Sequence, residues 1–495
     1  MDRRDFLKRA GMIGGGLAGM SVLAACGGGG GTPPTSSGGA AAAPTAAGAA
    51  SSGAAAADTK PTTFKATKPA QGNGGGKPLI FRGWNYHPEV VVDNNNIFNK
   101  MYEENVDYQT ISGDYIPLID KIHINKEPLN LAYSVNSSLH KWYKAGWVWD
   151  LEGHWNIEAI KGELYPGWKE LATTVDGKLI GLPYFQSVRG TICTNEDMLE
   201  KAGITEAQWP KTWTELYDQS YQIKKAGITD IPLLPQWYGT FLIRAWGYQA
   251  EIENRGGKLF DEKGLPVFDE MCYTVLDNAA KLVADGIVPK EMFTFQETDF
   301  VDAFSSGRYA YSAQQIYDNK VHNDPQKSKI ARPHTKGGSR FIPVAGQTWG
   351  FIESGIYTVI KREGQTDDEV ARAFRLAEFF GNKDKDGKYH VSKRWAIEQA
   401  LNSGYPSTLQ DKEVQDAYAK WMPNPEQMLK AMDGLFAAAK GFGVQKRAFY
   451  DEFNQKACPS LAEAMLGSKP VKQTVDELKA LSEQLLEKNK RNDPT

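Results

Sequence analysis

From residue 27 to residue 77 the sequence is almost entirely Gly, Ala, Ser, Pro and Thr. Such a composition cannot bury a core, so this stretch is expected to stay unfolded. As a flexible coil of about 50 residues it spans roughly 40 Å on average. Whatever folds must therefore lie in residues 78–495. That part is longer than the roughly 250–300 residues at which a single core stops growing, so two lobes are expected.

The residues before the low-complexity stretch have their own pattern. The chain opens MDRRDFLKRA, with Arg3 and Arg4 adjacent, and a weakly apolar, Gly-rich run follows from Ala10 to Ala25. The run is shorter than the roughly 20 apolar residues that span a bilayer, so it reads as a signal peptide. The arginine pair resembles a twin-arginine export signal. Leu23-Ala-Ala-Cys26 resembles a lipobox, which would make Cys26 the acceptor of a lipid anchor on the outer face of the cell membrane. Residues 1–26 are thus expected to be the signal and 27–77 the linker.

Charge narrows the partners. The first 77 residues carry eight basic and three acidic residues; the remainder has 49 basic and 57 acidic, net −8. No basic stripe is present, which excludes the usual footprint of a nucleic-acid binder. Beyond Cys26 the cysteines are Cys193, Cys272 and Cys458, an odd number, so at least one is expected as a free or buried thiol. No CxxC, HxxxH, GxSxG or phosphate-loop GK[ST] pattern occurs, so no metal or cofactor is expected. Asn382-Lys-Asp-Lys-Asp-Gly387 opens like a calcium loop, but its twelfth position is Lys393 rather than Glu, so a solvated turn is expected.

Periodicity gives elements. Leu79–Phe81, Val106–Ile111 and Leu129–Tyr133 read as strands, separated by helical spacing over Pro88–Asn105 and Pro117–Ile124. This alternation predicts βαβ units in an α/β fold. Thr212-Trp-Thr-Glu215, Thr366-Asp-Asp-Glu369 and Thr474-Val-Asp-Glu477 read as capping boxes. Asn195 is expected to cap a short helix that Gly203 ends.

Gly177-Lys-Leu-Ile-Gly-Leu-Pro-Tyr184, the run on to Asn195, Met198–Gly203 and Pro210-Lys-Thr-Trp213 together resemble extracellular solute-binding proteins of family 1, the maltose-binding-protein-like group. Phe304–Tyr311, Trp349–Ile356, Ala373–Phe380, Gly404-Tyr-Pro406 and Gln473–Glu477 follow in that family's order. The resemblance implies a class II periplasmic-binding-protein-like fold, with ligand between two α/β lobes that close by hinge motion. It implies one lobe from 78–188 and 340–386 and a second from 189–339 and 387–490, with crossings near 186–191, 338–349 and 384–390. It implies a monomer that captures a sugar or oligosaccharide and delivers it to an ABC permease.

A sugar site needs flat aromatic faces and polar groups at the rim. Candidates are Trp84, Asn85 and Tyr86 after the first strand; Ser134 and Asn136 after the strand ending at Tyr133; Tyr184, Gln186 and Arg189 at the first crossing; Gln236, Trp237 and Tyr238; Gln314 and Tyr317; and Trp349 and Tyr405. Trp142, Trp147, Trp149 and Trp168 read as packing, and Arg189 could equally form a hinge salt bridge. Few carboxylates stand among the candidates, which favours a neutral sugar. The same fold could hold a polyamine, an organic acid or iron, and a lipid-anchored glycan hydrolase would need paired carboxylates about 5–9.5 Å apart.

Overall fold

The computed structural model describes residues 76–112, 115–189, 191–239, 241–244, 247–332, 337–343 and 350–490. Cys26, the signal segment, the linker to residue 75 and Trp349 lie outside the described residues.

The first sheet holds β1 (Leu79–Trp84), β2 (Val106–Ile111), β3 (Leu131–Val135), β4 (Leu182–Arg189) and β9 (Phe351–Val359), in the order β2-β1-β3-β9-β4. β1 runs parallel to β2 and β3, whereas β9 is antiparallel to both its neighbours. All nine residues of β9 are buried, as befits a strand covered on both faces. The helix Asp367–Gly381 covers one face; there Phe81, Tyr357 and Phe380 pack ring against ring at 5.3–6.4 Å. The second sheet holds β5 (Thr191–Thr194), β6 (Leu233–Pro235), β7 (Tyr311–Ala313) and β8 (Phe341–Pro343), in the order β6-β7-β5-β8.

Each sheet organises its own hydrophobic core. The chain passes from the first to the second between Arg189 and Thr191, and returns between β8 and β9. The third passage departs from the expected 384–390. Val391, Trp395, Leu409, Tyr418, Met432 and Ala439 belong to the first core, and Phe442 begins the second. Lys440 bridges to Phe351 beside the second crossing, so the passages at 350 and 440 lie together. Helices 390–399, 412–418 and 425–438 therefore build the first lobe, not the second.

Local signals explain several helix starts. Pro88 occupies the first turn of the helix Pro88–Tyr102. Thr212 and Thr366 accept hydrogen bonds from Glu215 N and Glu369 N, both at 3.2 Å. Thr212→Ala is expected to cost about 1 kcal/mol in a denaturant melt, the usual worth of such a cap. Thr474 differs: its helix begins at Val471, and the Thr474 hydroxyl donates to the Pro470 carbonyl at 3.1 Å from inside the first turn. Asn195 precedes the helix Glu196–Lys201 but spends its amide on the Tyr309 carbonyl at 3.2 Å. Gly203 ends that segment at φ +70°, where glycine is favoured.

Cys193, Cys272 and Cys458 are all buried, and no disulfide joins them to one another. Asp384 accepts from the amides of Asp386 and Lys388 at 2.9 and 3.0 Å, so the calcium-like stretch is a turn closed by its own carboxylate.

Candidate functional site

β4 carries the chain into the junction between the lobes, and its pleat sorts its side chains. Phe185, Ser187 and Arg189 fall on one face. Each meets the second lobe or the crossing strand. The rings of Phe185 and Tyr317 stand 6.3 Å apart, edge to face. The Ser187 hydroxyl donates to Gln315 Oε1. Arg189 Nε lies 3.4 Å from Glu353 Oε2, and its Nη1 lies 3.4 Å from Gln236 Oε1. Arg189, Glu353 and Gln236 are 3%, 8% and 0% exposed, so this is a desolvated ion pair with an amide against it.

Two further carboxylates stand at the junction. Glu297 opens the helix Glu297–Ser305 and accepts from the Tyr317 hydroxyl at 3.4 Å. Asp318 accepts from Gln315 N at 3.1 Å, closing the short 3-10 turn Ile316–Asp318. Burial pushes both carboxyls above the ordinary range; Arg189 pulls both the other way, Glu353 adds to the rise for Glu297, and Glu297 adds to it for Asp318. Tyr86, at the far end of β1, is half-buried; desolvation first, then Asp318 and Glu297, raise its phenol pKa. Tyr86 packs on His87 at 4.6 Å and on Trp395 at 6.2 Å in the first lobe, near enough to feel the acids of the second.

The lobes meet on both sides of this junction. Asn136 donates to the Ile352 carbonyl at 2.9 Å and to Gln445 Oε1 at 3.2 Å, while Lys141 bridges Asp120 and Asp451 at 2.9 and 3.0 Å. Elsewhere Lys320 Nζ reaches the last carbonyls of the helix His390–Gln399, at 2.6 Å from Glu398 O.

Of the expected ligand residues, the structure brings together Tyr86, Arg189, Gln236 and Tyr317. The others have different places. Trp84 packs among Tyr133, Tyr115 and Tyr184, and Asn85 is exposed. Tyr184 stacks on Tyr133 at 4.7 Å inside the first core. Ser134 shares a hydrogen bond with Thr358 at 2.6 Å, and Asn136 clasps the hinge as described. Gln186 pairs across the sheet with Ser354 and so points to the face opposite Arg189. Trp237 is 2% exposed in the second core, and Tyr238 packs on Phe300 at 5.2 Å. Tyr405 donates to the Gly381 carbonyl at 3.0 Å and packs on Tyr389. The expected scarcity of cleft carboxylates is also corrected, since Glu297, Asp318 and Glu353 all reach the junction. Glu353 had a readable signal, an acid inside the apolar run of β9. Glu297 and Asp318 had none beyond their helix-start positions.

Gln314 is structural. Its Nε2 donates to the Phe300 carbonyl and Ser312 Oγ, leaving Oε1 to accept from His322 Nε2 at 3.2 Å. His322 Nδ1 then accepts from Ser305 Oγ at 2.9 Å, so the imidazole sits neutral in the second lobe. Its burial pushes the pKa from 6.5 down to about 3. The unfolded chain binds this proton first, so stability is fully present above pH 6.5 and falls as pH drops toward about 3. The expected slope is about 1.4 kcal/mol per pH unit from this group, read as the difference between urea melts of the parent and His322→Asn.

Among the described residues no group of three or more His, Cys, Asp or Glu side chains could hold a metal ion, and no helix is long and apolar enough to cross a membrane.

The model of the family of bacterial extracellular solute-binding proteins matches residues 87–386, which is more than half of the chain. The chain belongs to this family. As a solute-binding protein it has a partial curated relative, the sn-glycerol-3-phosphate-binding periplasmic protein UgpB of Brucella abortus, 25% identical over 158 residues. The match covers 30% of this chain and 36% of that relative's length. Among solved structures, T. maritima MalE3 with maltose bound superposes with a TM-score of 0.67 at 19% identity, covering 83% of this chain and 100% of its own. A solute-binding protein of Agrobacterium radiobacter K84 in complex with ribitol gives 0.68 at 15% identity, covering 83% and 99%. At such identities these likenesses show the fold.

Proposed function

We propose that this solute-binding protein captures a sugar or polyol between its lobes and delivers it to an ABC permease. The observation that carries this reading is the Arg189–Gln236–Tyr317 wall at the crossing, where a buried amide and guanidinium stand beside aromatic rings. Gln236 is fully buried, yet its Nε2 has no hydrogen-bond partner among the described residues. A buried donor left unmade costs about 1–3 kcal/mol, and a ligand hydroxyl would accept from it. The rings of Tyr86, Phe185 and Tyr317 suit the C–H faces of a sugar. The maltose and ribitol carried by the structural relatives are consistent with this chemistry.

Calorimetric titration of the purified protein with mono- and oligosaccharides and polyols tests the reading. Saturable binding at micromolar or tighter affinity, with no new reducing ends, supports capture for import. Turnover of an oligosaccharide would make the protein a hydrolase instead.

The same proposal places the protein outside the cytoplasm, exported through the Arg3-Arg4 signal and anchored by lipid on Cys26, as a monomer on a long tether. The support is the sequence around Cys26 and the composition of residues 27–77. Cys26→Ser is expected to move the protein from the membrane pellet to the soluble fraction, because the chain then lacks its acyl anchor. Retention in the pellet after a salt wash would contradict the anchor.

A further inference from the structure

The next step rests on the interlobe reading and concerns the charge of the ligand. Among the described residues the junction sets three acids, Glu297, Asp318 and Glu353, near the guanidinium of Arg189. Glu353 is the one paired with it, at 3.4 Å. Glu297 and Asp318 form no ion pair among the described residues; their contacts are the Tyr317 hydroxyl at 3.4 Å and Gln315 N at 3.1 Å. Asp318 is 6% exposed and directly follows Tyr317, whose hydroxyl meets Glu297 at 3.4 Å, so both acids border the same tyrosine.

A second observation points into the same junction. Gln236 is 0% exposed, its Oε1 faces Arg189 Nη1, and its Nε2 is left without a partner among the described residues. The site therefore has a spare donor beside two acids that have no cation partner among the described residues.

Ligands of different charge fare differently there. A neutral sugar supplies no cation, so when the lobes close on it each acid must either take up a proton or carry an unpaired buried charge. A phosphate ester would add like charge, which costs several kcal/mol more. An ammonium group supplies the missing charge and three N–H donors for the carboxylate oxygens. The flanking rings of Tyr86 and Tyr317 also favour a cation over a neutral group.

We propose that the ligand is an aminated sugar, its protonated amine held by Glu297 and Asp318 and a neighbouring hydroxyl accepting from Gln236 Nε2. The distinction from a plain sugar is made by charge, so matched ligands test it.

The test is calorimetry of the whole protein at neutral pH with glucosamine, galactosamine, mannosamine and their short oligomers, each beside its N-acetyl and hydroxyl counterparts. sn-Glycerol 3-phosphate and putrescine complete the set. At least one amine is expected to bind ten-fold or more tighter than both of its counterparts. Asp318→Asn and, separately, Glu297→Gln are expected to cut that preference below about three-fold, with unchanged circular dichroism. An acetylated or neutral sugar binding as tightly as its amine overturns the cation requirement and leaves sugar capture standing. Tightest binding of the phosphate ester does the same for the charge assignment. Binding of putrescine alone removes the sugar and keeps the cation, which overturns the aminated-sugar assignment. No heat from any member overturns both readings.

Discussion

Glu104→Gln is expected to lower the stability of the folded part by roughly 3–5 kcal/mol. Glu104 follows the helix Pro88–Tyr102, and its side chain is wholly buried. Its two oxygens hold two guanidiniums of the helix Asp367–Gly381. Oε2 accepts from Arg372 at 2.7 and 2.9 Å, and Oε1 accepts from Arg375 at 3.2 Å. This knot ties the first βα unit to the helix that covers the sheet. Removing the acid takes the shared carboxylate from two guanidiniums that are each under a tenth exposed, and that lost charge pairing is what costs. Replacing all three residues with apolar side chains of similar volume is expected to recover much of the loss, because a buried ion cluster gains little over good packing. Urea melts of the single and triple variants measure both effects.

Arg189→Leu is expected to produce the largest functional defect. The guanidinium neutralises Glu353 and faces the Gln236 carbonyl oxygen, both buried. Its loss removes a cation that pairs with Glu353 and draws down the raised carboxyls of Glu297 and Asp318. Stability should fall by about 3–5 kcal/mol, and ligand affinity on the order of 10²-fold or more. Arg189→Lys separates the two roles. Lysine keeps the charge beside Glu353 but cannot also present a second nitrogen to Gln236 in a fixed fork. Most of the stability should return, while affinity remains reduced. Equal recovery of both would mean that Arg189 serves the hinge alone.

Most of the first lobe is legible in the residues themselves. Alternation at Val106–Ile111 and helical spacing after Pro88 report local burial, and burial follows chain period directly. Thr212 and Thr366 are legible because a cap is satisfied within four residues. Thr474 is not, since Pro470 starts the same helix earlier and a threonine inside a helix can turn its hydroxyl back to the preceding turn. The third crossing is misplaced by sequence for a related reason. Trp395, Tyr418 and Met432 show which face of each helix is buried, but an apolar stripe does not say which sheet it covers. The three-dimensional packing into the first core, with Lys440 paired to Phe351, fixes that.

The site is legible as a place more than as a set of residues. The Leu182–Arg189 stretch marks the crossing, yet the parity of the strand decides that Ser187 and Arg189 face the second lobe and Gln186 does not. A one-residue change of phase exchanges the two sets. Trp237 and Tyr405 have the right chemistry for a sugar platform, but each fills its own lobe. Glu297 and Asp318 sit far from the crossing in sequence and join it only through the packing of the second lobe against the first.

The central claim is that ligand sits between the lobes at this junction. A crystal structure of the protein with the tightest ligand from the calorimetric panel tests it most directly. The account predicts the ligand in contact with Tyr86 from the first lobe, Tyr317 from the second and Arg189 at the crossing, with Gln236 Nε2 donating to a ligand oxygen. Ligand bound to one lobe alone, away from Arg189, would contradict it.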